Sequence, residues 1–326
     1  SRLPVVAVCA VRTGVGKSQT TRWLSQQVKA RGLRPAVIRH PMPYGNLEMQ
    51  AVQRFATMDD LDDANCTIEE REEYEPHIAT GSVVFAGVDY AAIVKRAEHE
   101  ADVILWDGGN NDFSFVKPDL HIVMVDPLRP GQEATHHPGE AVLRMADIIV
   151  VAKTNSAAAA DVQSVIDNVS IMAPAAKIVR AASDVRLDDP AQVAGRRVLV
   201  VDDGPTITHG GMPYGAGYVA AVEAGAGEIV DPRVSAAGEL QDVFATYEHI
   251  GKVLPAMGYS AAQLDDLAAT INTASADVVV TGTPSDLGRL MKLNKPVVRA
   301  RYDFREVGKP KLSSLVDKFF EERNLV

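Results

Sequence analysis

A glycine loop follows directly on an apolar run near the start of the chain. The run covers residues 4–10, and the loop reads Arg-Thr-Gly-Val-Gly-Lys-Ser over residues 12–18. A buried strand, a glycine-rich turn and a lysine-hydroxyl pair that opens a helix are, in this order, typical of a phosphate-binding loop. Backbone N–H groups of such a loop surround a polyphosphate, and the positive end of the following helix faces the same anion. The sequence therefore predicts a nucleoside triphosphate site.

Each residue of the loop has a predicted task. Lys17 reaches the β- and γ-phosphates, and Ser18 binds Mg²⁺. The nucleotide contacts are assigned to the loop and the first helical turn, namely Thr13, Gly14, Val15, Gly16, Lys17, Ser18 and Gln19.

The loop departs from the common pattern at its first glycine position, which is Val11. It is closer to the variant K-G-G-x-G-K-[ST] of dimer-forming P-loop proteins, in which the first lysine reaches the nucleotide of the partner. Arg12 holds that position here and keeps the charge, with a fork that suits phosphate. We therefore predict that Arg12 is catalytic and that the protein is a homodimer.

The composition limits the class of protein. The chain has 326 residues, of which 46% are hydrophobic and 23% charged, which fits a globular protein of about two domains. A formal net charge of −10 argues against a nucleic-acid partner. No apolar stretch approaches the roughly 18 residues of a membrane-spanning helix, so no membrane partner is expected. Two cysteines form no disulfide framework and indicate the cytoplasm.

Short Val- and Ile-rich runs alternate with helical segments along most of the chain. Strands are predicted at 4–10, 35–39, 102–106, 120–125, 147–152 and 177–181, and helices at 17–31, 47–57, 89–100, 133–145 and 158–172. This alternation is typical of an α/β fold with a parallel sheet and helices on both faces. Later strands are predicted at 196–201, 228–231, 277–281 and 296–301. A polar join near 182–195 predicts a P-loop nucleotide-binding domain over 1–190 and a smaller α/β domain over 195–326.

Polar residues follow several predicted strands at the edge where parallel sheets bind ligands. Asp107 follows the strand at 102–106, so we predict that it is catalytic and binds Mg²⁺ directly or through water. Asn110 is a substrate contact or part of a turn. Lys153 is predicted to lie along the nucleotide base. Because Asn155 stands where guanine-binding proteins carry an Asp, ATP is expected as the cofactor rather than GTP.

Three further features leave alternatives open. Asp112 supplies a second metal ligand or base, or it caps a turn. Asp126 and Arg129 contact the ligand, or they cap the following helix. The acidic segment 57–77 is either a solvated excursion or a flap over the site.

Basic and glycine-rich positions indicate a phosphorylated substrate. Arg39 and His40 follow the second strand, at the sheet edge of the loop, and are predicted to be catalytic by supplying positive charge and donors. Arg71 and His77 are weaker candidates, since a single histidine is as often structural. A glycine-dense segment in the second half predicts another substrate contact, or a packing turn, at Thr208, His209, Gly210 and Gly211.

Five segments together carry a resemblance to a known family. They are residues 10–21, 39–45, 69–78, 107–112 and 203–212. On these segments the chain resembles the cyclic 2,3-diphosphoglycerate synthetase family, a group of predicted P-loop GTPases. Members usually carry an additional N-terminal Rossmann-like domain, which is not expected in this chain. They often show N-K-x-D where this chain has residues 152–155.

The resemblance implies an ATP-driven reaction in which 2,3-diphosphoglycerate closes to an intramolecular phosphoanhydride, with release of ADP and phosphate. Lys17, Arg12 and Mg²⁺ then stabilise the moving γ-phosphoryl group. The two substrate phosphates are held adjacent by Arg39, His40, Arg71, His77 and His209. Two alternatives stay open: a P-loop ATPase or GTPase switch that acts on a protein partner or delivers a metal, and a nucleotide-binding module without catalysis.

Overall fold

The computed structural model describes residues 1–40, 42, 45–108, 112–257 and 260–325. Its strands are β1 (Val5–Ala10), β2 (Pro35–Arg39), β3 (Gln53–Phe55), β4 (Val83–Ala86), β5 (Val103–Asp107), β6 (Leu120–Val125), β7 (Ile148–Val151), β8 (Lys177–Leu187), β9 (Arg197–Asp203), β10 (Glu228–Ile229), β11 (Leu254–Ala256), β12 (Val278–Thr281) and β13 (Val297–Val307). Its α-helices are α1 (Lys17–Ala30), α2 (Met58–Asp63), α3 (Ile68–Ala79), α4 (Tyr90–Ala97), α5 (Gly139–Arg144), α6 (Ala159–Met172), α7 (Gly204–Ile207), α8 (Ala216–Glu223), α9 (Glu239–Thr246), α10 (Ala261–Thr273), α11 (Leu287–Leu290) and α12 (Leu312–Glu321).

The chain forms two compact units, and neither is continuous in sequence. The first unit comprises Ser1–Asp60, His77–Asp184 and Asp303–Val326, and the second comprises Leu61–Pro76 and Val185–Tyr302. The change of unit between Asp184 and Val185 lies close to the predicted join near 182–195. The placement of Leu61–Pro76 in the second unit and of Asp303–Val326 in the first does not follow a division into 1–190 and 195–326. The join itself is not a linker at its start, since β8 continues through Leu187.

The first unit contains a sheet with the strand order β3-β4-β2-β5-β1-β6-β7-β8. Its neighbours pair in parallel, except that β3 is antiparallel to β4. Strands β1, β2, β5 and β6 are buried along their whole length, as expected for central strands of a parallel sheet. The α/β fold class is confirmed, and the parallel pairing brings the C-terminal ends of β1, β2, β5, β6 and β7 to one edge.

The second unit is a smaller α/β assembly. Strands β10, β9, β12 and β13 follow one another in its sheet, with β11 also on β9, and the registered pairs are parallel. Its core includes Val200, Leu254 and Val280 together with Ile68 of α3. The acidic segment predicted as an excursion or a flap therefore forms helices, and its apolar residue Ile68 is buried in this core.

Other local predictions need correction. The predicted helix at 47–57 is wrong: this region forms a turn and then β3. Asn46 Oδ1 accepts the backbone N–H groups of Glu48 and Met49 in a local turn, and residues 53–55 pair with β4 rather than continuing a helix. The predicted helix at 133–145 is shorter, because Pro138 precedes α5 and has no backbone N–H to donate. In the described ranges, no helix is both long and apolar enough to cross a bilayer.

Candidate active site

The phosphate-binding loop connects β1 to α1. Gly14 and Gly16 have φ values of 76° and 112°, which glycine adopts without the strain that a side chain would cause. Gly16 is the N-cap of α1 and no side chain caps the helix there, so the positive end of the helix dipole faces the loop. The geometry fits the predicted polyphosphate site.

A group of three charged residues, which we call the loop anchor, holds this loop from the neighbouring strands. It consists of Asp126 after β6, Arg129 three residues later, and Lys153 after β7. Arg129 Nη2 donates to the carbonyl oxygen of Thr13 at 3.0 Å, and Lys153 Nζ donates to that of Gly14 at 2.6 Å. Asp126 Oδ2 accepts from both cations, at 2.7 and 3.0 Å. The anchor therefore fixes two consecutive carbonyl groups of the loop.

The charges of the loop anchor perturb one another. Burial raises the pKa of the Asp126 carboxyl, but Lys153 and Arg129 lower it more, so the net pKa lies below its usual value. Burial lowers the pKa of Lys153, against the opposing effect of Asp126. Arg12 is also buried, and burial and Arg129 lower its pKa. Three cations thus surround one carboxylate, and this excess positive charge favours an anionic ligand.

Asp126→Asn is expected to weaken ATP binding by between roughly 10- and 100-fold, because it removes the carboxylate that positions both cations on the loop. The measurement is the Kd for ATP by calorimetry. Asp184→Asn is the matched control, since Asp184 also pairs with an arginine of the first unit but is 46% exposed. An unchanged Kd in Asp126→Asn would contradict the positioning role.

A second buried group, the Asp107 cluster, lies at the ends of β5 and β2. Arg39 is opposite Asp107 in the parallel register of these strands. Arg39 Nη1 is 3.2 Å from Asp107 Oδ1, and it also donates to the carbonyl oxygens of Asp107 and Gly108 at 2.8 and 2.5 Å. His77 Nε2 is 3.0 Å from Asp107 Oδ2. The structure therefore brings together three residues that the sequence analysis selected separately.

The Asp107 cluster keeps its carboxyl group ionised. Burial raises the pKa of Asp107, but Arg39, His77 and Lys17 lower it, and the net pKa lies well below the usual range. Burial lowers the pKa of His77 despite the opposing effect of Asp107, so the neutral imidazole donates its Nε2–H to the carboxylate. An ionised Asp107 and the hydroxyl of Ser18 are hard oxygen ligands of the kind that Mg²⁺ prefers. These two residues fit the predicted metal site.

The lowered pKa of His77 gives a prediction for stability. Between its native pKa and the ordinary value of 6.5, the unfolded state binds more protons than the native state, so the free energy of unfolding rises with pH. His77→Gln is expected to reduce the decrease in the free energy of unfolding from pH 7 to pH 5, by at most about 1.4 kcal/mol per pH unit. Urea unfolding at pH 7, 6 and 5 measures this. Equal slopes in the variant and the wild type would be the contrary result.

Two other predicted residues of the first unit have different outcomes. His40 Nδ1 is 2.8 Å from Asp112 Oδ2, and the His40 side chain is 38% exposed. Asn110 lies outside the described residues. The roles of both as catalytic or substrate residues stay predictions.

The remaining candidates belong to the second unit. Arg71 is 2.5 Å from Asp62 and 3.2 Å from Glu75. The hydroxyl of Thr208 donates to the carbonyl oxygen of Gly204, and His209 Nδ1 is 3.2 Å from the hydroxyl of Tyr247. Gly210 lies so close to the Thr206 carbonyl oxygen that a Cβ would be 2.2 Å from it, and Gly211 has a φ of 67°. Substrate binding by these residues stays a prediction.

Arg129 and Asp126 have contacts that neither of the two alternatives from the sequence included. Both act on the loop, and Asp126 Oδ1 also accepts the backbone N–H of Leu128. Their position after a buried strand was the available signal, but the contact of Arg129 with Thr13 across 116 residues was not predictable from local pattern.

Comparison with known proteins identifies the family. No family model matches the chain. Arginine synthetase ArcE of Thermococcus kodakarensis is 55% identical over 319 residues, which are 98% of this chain and 71% of that protein. The chain belongs to the ArcE family. The result supports a synthetase and leaves the 2,3-diphosphoglycerate assignment as a prediction.

The fold has a solved counterpart. The crystal structure of LpxK from Aquifex aeolicus, in complex with ATP, matches 98% of this chain and 89% of its own, with a TM-score of 0.55 and 13% identity. At this identity the likeness shows the fold alone. It supports the P-loop NTPase fold that the loop predicts for this member of the ArcE family.

Proposed function

We propose that this protein is an ATP- and Mg²⁺-dependent synthetase that forms arginine by activating an acceptor oxygen with the γ-phosphoryl group. The observation that carries the proposal is the pairing of an uncapped phosphate-binding loop with the buried, ionised Asp107, in a chain 55% identical to an arginine synthetase. ATP as the nucleotide rests on the absence of a guanine-binding aspartate at residue 155.

The chemistry follows from the structure of arginine. Its guanidinium group has a nitrogen where the ureido acid citrulline has an oxygen. Transfer of the γ-phosphoryl group to that oxygen forms an O–P bond, breaks the bond to the ADP oxygen and creates a leaving group. Ammonia then attacks the ureido carbon, the C–O bond breaks, and the oxygen departs with phosphate. The products are arginine, ADP and phosphate.

Residues of the first unit contribute to this reaction in different ways. Loop N–H groups and Lys17 hold the β- and γ-phosphates, and Arg12 adds positive charge. Ser18 and Asp107 would hold Mg²⁺, which when bound neutralises phosphate charge. Arg39 and His77 act as positioning residues, because they fix the Asp107 carboxylate and keep it ionised.

The second candidate is the synthesis of cyclic 2,3-diphosphoglycerate. It uses the same first step, but a substrate phosphate receives the γ-phosphoryl group and the second substrate phosphate displaces it. The observation that favours it is the resemblance in segments 39–45 and 107–112, whose residues Arg39 and Asp107 meet in the Asp107 cluster.

One assay separates the candidates. ADP and arginine are measured with Mg²⁺ and either ATP or GTP, in the presence of citrulline and ammonium, of 2,3-diphosphoglycerate, or of neither. We expect ADP and arginine in equal amounts only with ATP, citrulline and ammonium. ADP that depends on 2,3-diphosphoglycerate would support the second candidate. Turnover that no acceptor changes would support the nucleotide switch.

A further inference from the structure

Three aromatic rings of the first unit form a cluster at the C-terminal end of β5, the strand that Asp107 ends. The rings of Tyr90 and Phe115 stack, with centroids 4.9 Å apart and an angle of 18° between their planes. Trp106 lies 5.7 Å from each of them. The ring of His40, which pairs with Asp112, is 6.1 Å from Phe115. We call Tyr90, Trp106 and Phe115 the aromatic cluster.

Two polar atoms of the aromatic cluster are unsatisfied. Trp106 is fully buried, and its Nε1–H has no hydrogen-bond partner in the described structure; the same is true of the buried Tyr90 hydroxyl. A buried donor or acceptor without a partner costs about 1–3 kcal/mol, so such groups are rare without a reason. An indole N–H can only donate. The group that satisfies Trp106 must therefore be an acceptor atom.

The position of Gly108 shows where this donor is directed. A Cβ atom at Gly108 would lie 3.2 Å from Trp106 Nε1 and 2.9 Å from Asp112 Oδ1. The indole N–H and a carboxylate oxygen therefore lie on the same side of Gly108, where no side chain separates them. Gly108 N donates to the carbonyl oxygen of Val8 on β1. This point thus lies at the same strand ends as the phosphate-binding loop.

Phe115 supplies an apolar plane. The side chain is 57% exposed although Tyr90 covers one face of its ring. Planar delocalised groups, such as a guanidinium, stack favourably on aromatic faces. A planar ligand thus finds a ring to stack on, a donor and a carboxylate within one group of residues.

We propose that the aromatic cluster and the His40–Asp112 pair bind the acceptor substrate through its planar ureido group. The inference rests on the proposed function and assigns the binding site of its substrate. The ureido oxygen accepts from Trp106 Nε1–H and from the Tyr90 hydroxyl, the two unsatisfied groups of the aromatic cluster. The ureido N–H groups donate to Asp112, and the plane lies on Phe115. Because Trp106 directly precedes Asp107, this arrangement brings the reacting oxygen to the strand end of the candidate metal ligand.

Tyr90→Phe tests the site without changing the shape of the ring. It removes one unsatisfied polar atom, so the melting temperature is expected to stay equal or rise. The KM for citrulline is expected to rise about 3- to 10-fold, the equivalent of one hydrogen bond, while the KM for ATP stays unchanged. Tyr218→Phe, a tyrosine of the second unit, is the matched control. Unchanged citrulline KM in Tyr90→Phe contradicts the proposal.

A fluorescence titration locates binding independently of turnover. The chain has two tryptophans, and Trp23 packs against Phe304 elsewhere in the first unit. In Trp23→Phe, Trp106 is therefore the only tryptophan, and citrulline is expected to change its emission in a saturable way. The same variant carrying Phe115→Ala should require at least several-fold more citrulline, because the stacking surface is lost. Thermal melts show that both variants are folded.

The outcomes separate the inference from the proposed function. If citrulline does not change the emission of Trp106, the proposed acceptor site is wrong, whether or not the wild type makes arginine. A saturable Trp106 response without arginine formation overturns the proposed reaction and supports the site. A response and turnover together, with the expected shift in Tyr90→Phe, support both.

Discussion

Asp107→Asn is expected to lower turnover by about 10²–10³-fold and the free energy of unfolding by about 3–5 kcal/mol. The loss of activity follows because the variant removes the charge predicted to bind Mg²⁺. The loss of stability follows because Arg39 is 2% exposed and would keep its charge without the carboxylate that neutralises it. ADP release and urea unfolding measure the two effects, with activity assayed well below the melting temperature.

Asp102→Asn is the matched control for this prediction. Asp102 directly precedes β5, and its carboxylate pairs with the largely exposed Arg34. Exposed pairs of this kind contribute little, so a change below about 1 kcal/mol and normal turnover are expected. Asp107→Asn with wild-type turnover and an unchanged requirement for Mg²⁺ would exclude Asp107 as the metal ligand.

Lys17→Ala is expected to lower turnover by about 10²–10³-fold and to weaken ATP binding, with a smaller effect on stability than Asp107→Asn. Lys17 begins α1 directly after the loop, and its ammonium is one of the charges that lower the pKa of Asp107. Its removal takes a positive charge from the transferring phosphoryl group. Calorimetry with ATP in EDTA and with ATP and Mg²⁺ measures binding.

ATP binding in EDTA and ATP binding with Mg²⁺ distinguish the role of Lys17 from that of Asp107. Lys17→Ala should weaken ATP binding in both, because the lysine acts on the phosphates directly. Asp107→Asn should weaken it mainly with Mg²⁺. Lys95→Ala, an exposed lysine of α4, is the control and should behave as the wild type. Equal ATP binding in Lys17→Ala and the wild type would remove the loop from the nucleotide site.

The sequence predicted those parts of the site that contiguous residues form. The loop, its glycines and the helix after it follow one another within 20 residues, so local chemistry determines them. Asp107 and Arg39 were predictable because each ends a buried strand, and parallel pairing brings such ends to one edge. The position of His77 beside Asp107 was not, since α3 is rich in charge and carries no pattern that indicates its neighbours.

The differences between the predicted and the observed elements also have physical reasons. Residues 53–55 of the predicted helix 47–57 pair with β4, some 30 residues later in the chain, and hydrophobic period alone does not show such a partner. The transfer of Leu61–Pro76 to the second unit depends on the burial of residues such as Ile68, whose partners are far away in sequence. The loop anchor was missed as a unit because its contacts to the loop span more than 100 residues.

The discontinuous units have a consequence for the synthesis of the protein on the ribosome. The second unit has all its residues once Tyr302 is made, whereas the first unit still lacks Asp303–Val326. Arg31 and Asp317, which pair within the first unit, are 286 residues apart. At about 5–20 residues per second, β1 and the loop wait on the order of 15–60 s for this last segment. Within residues 1–326, β1 and the loop are therefore translated before the second unit, but they belong to the unit whose last residues follow it.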